Sequence, residues 1–497
     1  GFGLPALYHP DEPAYVLQAL AVGRGLPNGL TFADPPLFKY LLLAEDATAF
    51  GVGHIAGAFA SPDAFVARFR ADPGLLYLLA RLTSALCGAA TVLATLALGT
   101  LAQSRQVGWI AGVLATLTYP LVRDSHFGVN DALVTLLVTL GLVACLRTMQ
   151  TGARRWYVGS GAAVGVAFAA KYDGLILLLP LVLAHVLGAH RARWDRLALA
   201  GLVALVAAIV AFPSLVVEPG RVLADVELHD WQPARIGYDG LDPDGAAAYY
   251  VEAIGWGLGW PLVLAIVGGL VLTALRRDWR LMVVASVPLA MALVLGSQRL
   301  FFVRLLLPAV PATLVLAAVA TDAVTCRLRP GWQSAARIAL VGLLAIGPLV
   351  STLRFDWLLT RTDTRDLAQQ WLGRELPADA TLALDAPPVA PDVSALGRTV
   401  VLSPDGILDS LDLDAYQERG VRYVVTSSFS VDVRRLDPAD ERRHQTFYAQ
   451  LARRGAVLAR FGPDVPFFYD DLYGPFTALD ARDQPGPTIT VYELPST

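Results

Sequence analysis

Of the 497 residues, 55% are apolar and only 16% are charged, and the mean hydropathy is +0.51. That balance excludes a water-soluble globular protein of this size, because so much apolar surface needs lipid as its solvent. The formal net charge of −4 is too small to argue for or against nucleic acid, and none is expected among the partners.

Residues 1–74 read as a polar to amphipathic loop containing Tyr8-His9-Pro10-Asp11-Glu12-Pro13 and Ala33-Asp34-Pro35-Pro36-Leu37-Phe38-Lys39-Tyr40. The stretch 37–60 is apolar but carries Glu45, Asp46 and His54. These are costly at a bilayer centre, so interfacial helices are expected there rather than a span. A span takes roughly 20 apolar residues. Runs of that order recur at 75–101, 107–122, 131–147, 196–217, 251–275, 281–297, 300–325 and 336–353. The stretch 156–189, broken by Lys171 and Asp173, reads as two shorter crossings, which brings the expected number to about ten.

The loops differ in charge. One set carries Arg105, Arg147, Arg154, Arg155, Arg191, Arg193, Arg196, Arg276, Arg277, Arg280, Arg327, Arg329 and Arg337 against only Asp195 and Asp278. The large loop 218–250 instead holds Glu218, Asp225, Glu227, Asp230, Asp239, Asp242 and Asp244 against Arg221 and Arg235. The positive-inside rule puts that loop outside, and residues 1–74 and 354–497 fall on the same side. A loop at 1–74 in a chain starting with Gly1 implies one further span upstream. Cys87, Cys145 and Cys326 lie in or at the inner ends of apolar segments and form no disulfide or metal framework.

From 354 onward the pattern changes to β-rich runs at Thr381–Asp385, Thr399–Leu402, Arg422–Thr426 and Thr488–Glu493, alternating with amphipathic helices. Asp437-Pro438 supplies an N-cap and a first-turn proline for a helix running to about Arg454. The expected architecture is an all-α polytopic membrane bundle at 75–353, preceded by the 1–74 loop and followed by a C-terminal extracytoplasmic α/β domain at 354–497. No internal or inverted repeat of the kind transporters carry is visible.

Three groups of residues are suited to chemistry. Asp11 and Glu12, with Tyr15 nearby, form an adjacent carboxylate pair. One can act as a general base while the other orients the site, although such pairs are also ordinary solvated loop residues. Asp131 opens an apolar segment after Arg123, Asp124, His126 and Asn130; it is either a helix cap or a second reacting carboxylate. Lys39, Lys171, Arg299 and Arg304 lie at the outer edges of apolar runs, where a phosphate head group would sit, although snorkelling gives the same pattern. His126 and His229-Asp230 are outer-side histidine positions, and no dedicated zinc spacing accompanies them. A divalent cation, with Glu12 and His229 as ligands beside Asp11 and Asp230, requires folding to bring those residues together. Phosphate-binding loops, nucleophile elbows and zinc-protease helices are absent from the sequence.

The order of these motifs resembles the GT-C membrane glycosyltransferases, in particular the dolichyl-phosphate-mannose protein mannosyltransferases and the bacterial lipid A aminoarabinose transferases. The likeness runs from His9-Pro10-Asp11-Glu12 through Pro35-Pro36-Leu37-Phe38-Lys39-Tyr40 and Asp131. It continues to Ala170-Lys171-Tyr172, Arg304-Leu305-Leu306-Leu307-Pro308, Asp363-Thr364-Arg365-Asp366 and Trp371. The resemblance implies a polyprenyl-phosphate sugar donor, Asp11 as base supported by Glu12, Asp131 as second acid, and Lys171 and Arg304 on the donor phosphate. Tyr15, His126, Tyr172, His229 and Arg299 are expected to contact substrate.

One departure is Asp34-Pro35-Pro36 where the family often has a basic residue before Pro-Pro; Lys39 is expected to substitute for it. The implied activity is inverting transfer of a hexosyl or pentosyl group to a protein, lipid or glycan acceptor at the outer face of a bacterial inner (plasma) membrane. The alternatives are a transporter or flippase of lipid-linked or polar solutes, and a non-catalytic scaffold.

Overall fold

A computed structural model of the chain describes residues 2–4, 7–25, 30–188, 193–242, 245–403 and 405–495, with the side chain of Asp230 left aside. The chain forms two units, one of Asp11–Arg235 with Ala246–Thr352, the other of Gly1–Pro10, Ile236–Gly245 and Leu353–Thr497. Short pieces of both long loops belong to the C-terminal unit: Gly240 N donates to Arg434 O at 2.7 Å, Leu436 N to the Asp239 carboxylate at 2.9 Å, and the Tyr8 hydroxyl to Asp366.

The first unit is helical. It begins with α1 (Glu12–Gly23), α2 (Leu37–Ile55), α3 (Pro62–Ala71), α4 (Gly74–Ala102), α5 (Arg105–Leu117), α6 (Tyr119–Asp124), α7 (Asp131–Thr151) and α8 (Arg154–Ala170). A 3₁₀ turn at Tyr172–Leu177 leads into α9 (Leu178–Leu187), followed by α10 (Trp194–Ala211), α11 (Ser214–Val217), α12 (Pro219–Val226) and α13 (Gln232–Ile236). Then come α14 (Ala246–Leu258), α15 (Trp260–Arg276), α16 (Trp279–Gly296), α17 (Val310–Thr325) and α18 (Pro330–Leu359).

Among the described residues six helices have the length and hydropathy of a membrane span: α4, α7, α10, α16, Val303–Thr325 and Pro330–Leu358. A seventh arises if α14 and α15 are one span bent by 108°. The expectation of about ten is higher because several apolar runs are broken helices. Gly259, at φ +74°, separates α14 from α15 in a conformation costly for any other residue, and Pro261 restarts the helix. Pro120 similarly opens α6 after α5 stops, and Lys171, extended at φ −160°, ends α8.

Packing follows from small residues. A side chain at Gly161 or Gly165 on α8 would run into the carbonyls of Ala200 and Ala204 on α10, so this four-residue glycine spacing lets two helices approach at backbone contact. The span Val303–Thr325 is enclosed by its neighbours, 78% of its most apolar stretch being buried, against 11% for α10. On α10, Leu202, Leu205, Val206 and Val210 are exposed, an arrangement stable only against hydrocarbon. Cys145 is buried, Cys87 half-buried and Cys326 exposed.

The second unit has a five-stranded sheet made of β1 (Thr381–Leu384), β2 (Thr399–Val401), β3 (Tyr423–Ser427), β4 (Ala456–Phe461) and β5 (Ile489–Glu493), in the order β2-β1-β3-β5-β4. β1 is parallel to β2 and β3, while β5 is antiparallel to β3 and β4. α19 (Thr364–Glu375) covers one face through Ala368 and Leu372. The short α20 (Leu413–Glu418) and α21 (Ser428–Val431) precede α22 (Pro438–Arg454), and Tyr416, Phe447 and Leu451 of α20 and α22 cover the other face. Asp437 caps α22 as expected, accepting from Ala439 N at 2.7 Å and Asp440 N at 3.1 Å. Two buried charge clusters stiffen this unit. Asp409 receives His444 at 2.6 Å and Arg435 at 3.1 Å, and Asp471 receives Arg482 at 2.8 Å.

Candidate active site

A cleft of about 550 Å³ opens in the helical unit. Its charged lining comes from six distant positions: Asp11, Asp34, Asp131, Lys171, Asp173 and Arg304. Asp11 precedes α1 and makes no side-chain cap to it, which leaves its carboxylate for the ion pair with Arg304. Arg304 follows Phe302, and its guanidinium lies 4.8 Å from that ring's centre. Asp131 is the first residue of α7, 2% exposed, and is bonded at 2.6 Å to Lys171, where α8 ends. Each cation of the cleft is thus already matched to one of its acids.

Tyr15 and Tyr172 also line the cleft, anchored by their hydroxyls: Tyr15 donates to Asp34 at 2.8 Å and Tyr172 to the carbonyl of Phe32 at 2.8 Å. His229 lines it from the π-turn Glu227–Trp231. Of the expected residues, seven therefore converge: Asp11, Tyr15, Asp131, Lys171, Tyr172, His229 and Arg304.

Four do not. Glu12 is fully buried away from the cleft, where Oε1 accepts from Arg81 Nε at 2.7 Å and Gly128 N at 2.7 Å, while Oε2 accepts from Arg81 at 2.6 Å. Asp11 and Glu12 open a helix, so their side chains diverge by about 100°, and only the first faces the void. Lys39 does not take the place of the missing basic residue, because it is 2% exposed and donates to the carbonyls of Thr31 at 2.7 Å and Asp34 at 2.9 Å. Burial pushes its ammonium down to about 8, against the pull of Asp34 and Asp225. His126, just past the end of α6, turns back onto that helix, its Nδ1 lying 2.8 Å from the carbonyl of Val122. The side chain of Arg299 is exposed and is not part of the cleft lining.

Glu12 and His229 are not brought together as metal ligands. Among the described residues no group of three His, Cys, Asp or Glu side chains is gathered for an ion. Asp230, expected to join them, has its side chain outside the described residues.

The sequence reading missed Asp34, Asn130 and Asp173. Asn130 donates to Asp34 at 3.1 Å and to the carbonyl of Ala170 at 2.9 Å, tying the 33–36 loop to the ends of α7 and α8. Burial pushes the Asp34 carboxyl up, but Lys171, Lys39 and the hydrogen bonds from Tyr15 and Asn130 outweigh it and hold it below its ordinary value. The signal lies in Asp34-Pro35-Pro36, which supplies an acid where a base is expected.

A family model described as dolichyl-phosphate-mannose-protein mannosyltransferase matches residues 77–216, a stretch that includes Asp131 and Lys171. Among curated proteins none matches the chain in sequence. Among solved structures, ArnT from Cupriavidus metallidurans bound to undecaprenyl phosphate is 16% identical with a TM-score of 0.50, over 97% of this chain and 93% of that one. The oligosaccharyltransferase of Archaeoglobus fulgidus in its apo form is 12% identical with a TM-score of 0.54, over 94% and 73%. AglB from the same archaeon, in complex with an inhibitory peptide and a dolichol-phosphate, is 12% identical with a TM-score of 0.52, over 90% and 69%. The chain resembles the GT-C membrane glycosyltransferases and has their fold, a membrane helical bundle followed by an α/β domain.

Proposed function

We propose that this chain, built on the GT-C glycosyltransferase fold, is an inverting transferase that moves a sugar from a polyprenyl-phosphate donor to an acceptor hydroxyl at the outer face of the membrane. One observation carries the proposal: two carboxylates and two cations from four separate parts of the chain meet in one cleft as the pairs Asp11–Arg304 and Lys171–Asp131. The ligands bound in the structural neighbours, undecaprenyl phosphate in ArnT and dolichol-phosphate in AglB, support a donor of the same chemistry here.

In this mechanism the donor phosphate sits between Lys171 and Arg304. Both neutralise it by charge and hydrogen bonding and stabilise it as it leaves with the bonding electrons of the anomeric carbon. Asp11 accepts the proton of the acceptor hydroxyl as that oxygen attacks from the opposite side, which inverts the anomeric configuration. Asp131 holds Lys171 in place, and Tyr15 and Asn130 fix Asp34 beside it. The apolar part of the lining, including Leu175, Leu215, Val222 and Phe302, suits an isoprenoid chain entering from lipid. The acid-rich loop 218–250, read with the positive-inside rule, supports an outer location for the cleft and the C-terminal domain.

The test is transfer of labelled sugar by the purified chain from a panel of undecaprenyl-phosphate-linked hexoses and pentoses. Transfer with inverted configuration supports the reading. Failure with every donor, alongside undiminished movement of a lipid-linked solute across a vesicle membrane, replaces it with transport.

A further inference from the structure

The 3₁₀ turn Tyr172–Leu177 that follows α8 is fixed at three points. Gly174 N donates to the carbonyl of Lys171 at 2.9 Å, and a side chain at Gly174 would run into the backbone of Ala167, so the turn seats directly on α8. The Tyr172 hydroxyl is held by the carbonyl of Phe32. Leu177 is fully buried and set against Gly141 of α7. Between these anchors Asp173 lines the cleft.

Its state differs from that of the other three acids there. Asp11 is paired with Arg304 and Asp131 with Lys171, while Asp34 accepts from Tyr15 and Asn130. Asp173 is half-buried and, among the described residues, makes no hydrogen bond or ion pair; the charge of Lys171 reaches it only through space. A carboxylate held in a cleft wall without a donor is partly desolvated and uncompensated. Nothing in the fold offsets that cost, and a ligand's donors can.

Two features say which ligand. Lys171, two residues earlier, is assigned to the donor phosphate, so Asp173 addresses the group which that phosphate carries. Phe168 and Tyr172 also line the cleft, their ring centres 5.6 Å apart. Aromatic surface beside a convergent polar group suits a sugar, whose C–H faces are apolar and whose hydroxyls are donors.

We propose that Asp173 is a specificity-determining residue for the donor sugar. Its two oxygens accept from sugar hydroxyls, which selects a neutral hexose or pentose and rejects a uronic acid, whose own carboxylate meets like charge. This rests on the proposed function and names the substrate class within it.

The test uses the full chain with undecaprenyl-phosphate-linked glucose, mannose, galactose and arabinose, the three matching uronic acids, and the monodeoxy forms of each neutral sugar. The wild-type chain is expected to prefer its best neutral sugar over the uronic acid by on the order of 100-fold in kcat/KM, and over at least one monodeoxy form by a similar factor. Asp173→Asn removes the charge and should bring the uronic acid to within about 10-fold of its neutral counterpart. Asp173→Ala removes the acceptor as well and should also level the monodeoxy difference. Because no bond is lost, thermal unfolding of Asp173→Asn should come at or above the wild-type temperature. An active wild-type chain without a preference for neutral sugars, variants that slow all donors alike or change no ratio, or a lowered unfolding temperature in Asp173→Asn overturns the selectivity role and leaves the transferase reading standing. A wild-type chain inert with every donor overturns the transferase reading and the selectivity role with it.

Discussion

Buried charge is handled differently in the two units. In the C-terminal domain Asp471 is saturated: Oδ1 accepts from Phe476 N at 2.7 Å and Thr477 N at 3.0 Å, and Oδ2 accepts from Thr477 Oγ1 at 2.9 Å and Arg482 at 2.8 Å. Arg482 also gives Nε to the carbonyl of Thr477 at 2.9 Å. In the helical unit Asp131 takes one ammonium, that of Lys171, and the pair borders a void of about 550 Å³. A carboxylate whose lone pairs are all used has settled its desolvation cost within the fold. One with a single cationic partner at the wall of a cleft holds charge ready for a visitor. In the number of bonds it takes, Glu12, with three donors, matches Asp471 rather than Asp131.

The sharpest way to break this division is Asp11→Asn. It is expected to lower transfer by about 1,000-fold, within the usual range for loss of a general base, while thermal unfolding of the chain stays at the wild-type temperature. Glu12→Gln should do the reverse. Leaving Arg81 without its buried counter-charge is expected to cost about 3–5 kcal/mol of stability, read by denaturant titration in micelles, with kcat per folded molecule nearly unchanged. A large kcat loss in that variant at full stability would return Glu12 to the reacting groups. Lys171→Met is expected to lower kcat/KM for the donor by roughly 100-fold.

The smallest effect is in pH. Burial pushes the Asp409 carboxyl up, but the hydrogen bond from His444 and the charge of Arg435 outweigh it and hold it below its ordinary value of 3.8. The unfolded chain then binds that proton first as pH falls, so the stabilisation is complete above about 4 and is lost as pH drops through the folded value. Unfolding of the chain followed from pH 6 to pH 2 should show an acid limb that is shallower in Asp409→Asn.

Much of this architecture was legible in the sequence because it follows from periodicity and punctuation. The four strand segments expected at 381–385, 399–402, 422–426 and 488–493 are strands to within about a residue at either end, since β-branched runs between turn residues leave little choice. The fifth, Ala456–Phe461, follows Gly455 without a break after α22 and is largely exposed, so no alternation marked it. The long spans were visible as apolar runs, but the bend at Gly259 was not, because hydropathy does not register a single positive φ. Within the site, residues at the ends of apolar runs were found from their cost in lipid. Asp34 stands where a cation is expected, which masks its role as an acid, and the split between Asp11 and Glu12 depends on helical phase at one turn, which adjacency in sequence hides.

The exposure of Cys326 at the end of α17, beside a buried Cys145 and a half-buried Cys87, gives the protein a native reporter of its own orientation. Cys326 is followed by Arg327 and Arg329, on the arginine-rich side of the membrane. A thiol reagent that cannot cross lipid should spare it in intact cells and label it once the cytoplasmic face is opened, with no engineered tag. Labelling of Cys326 in sealed cells would invert the whole topology and put the cleft on the cytoplasmic side.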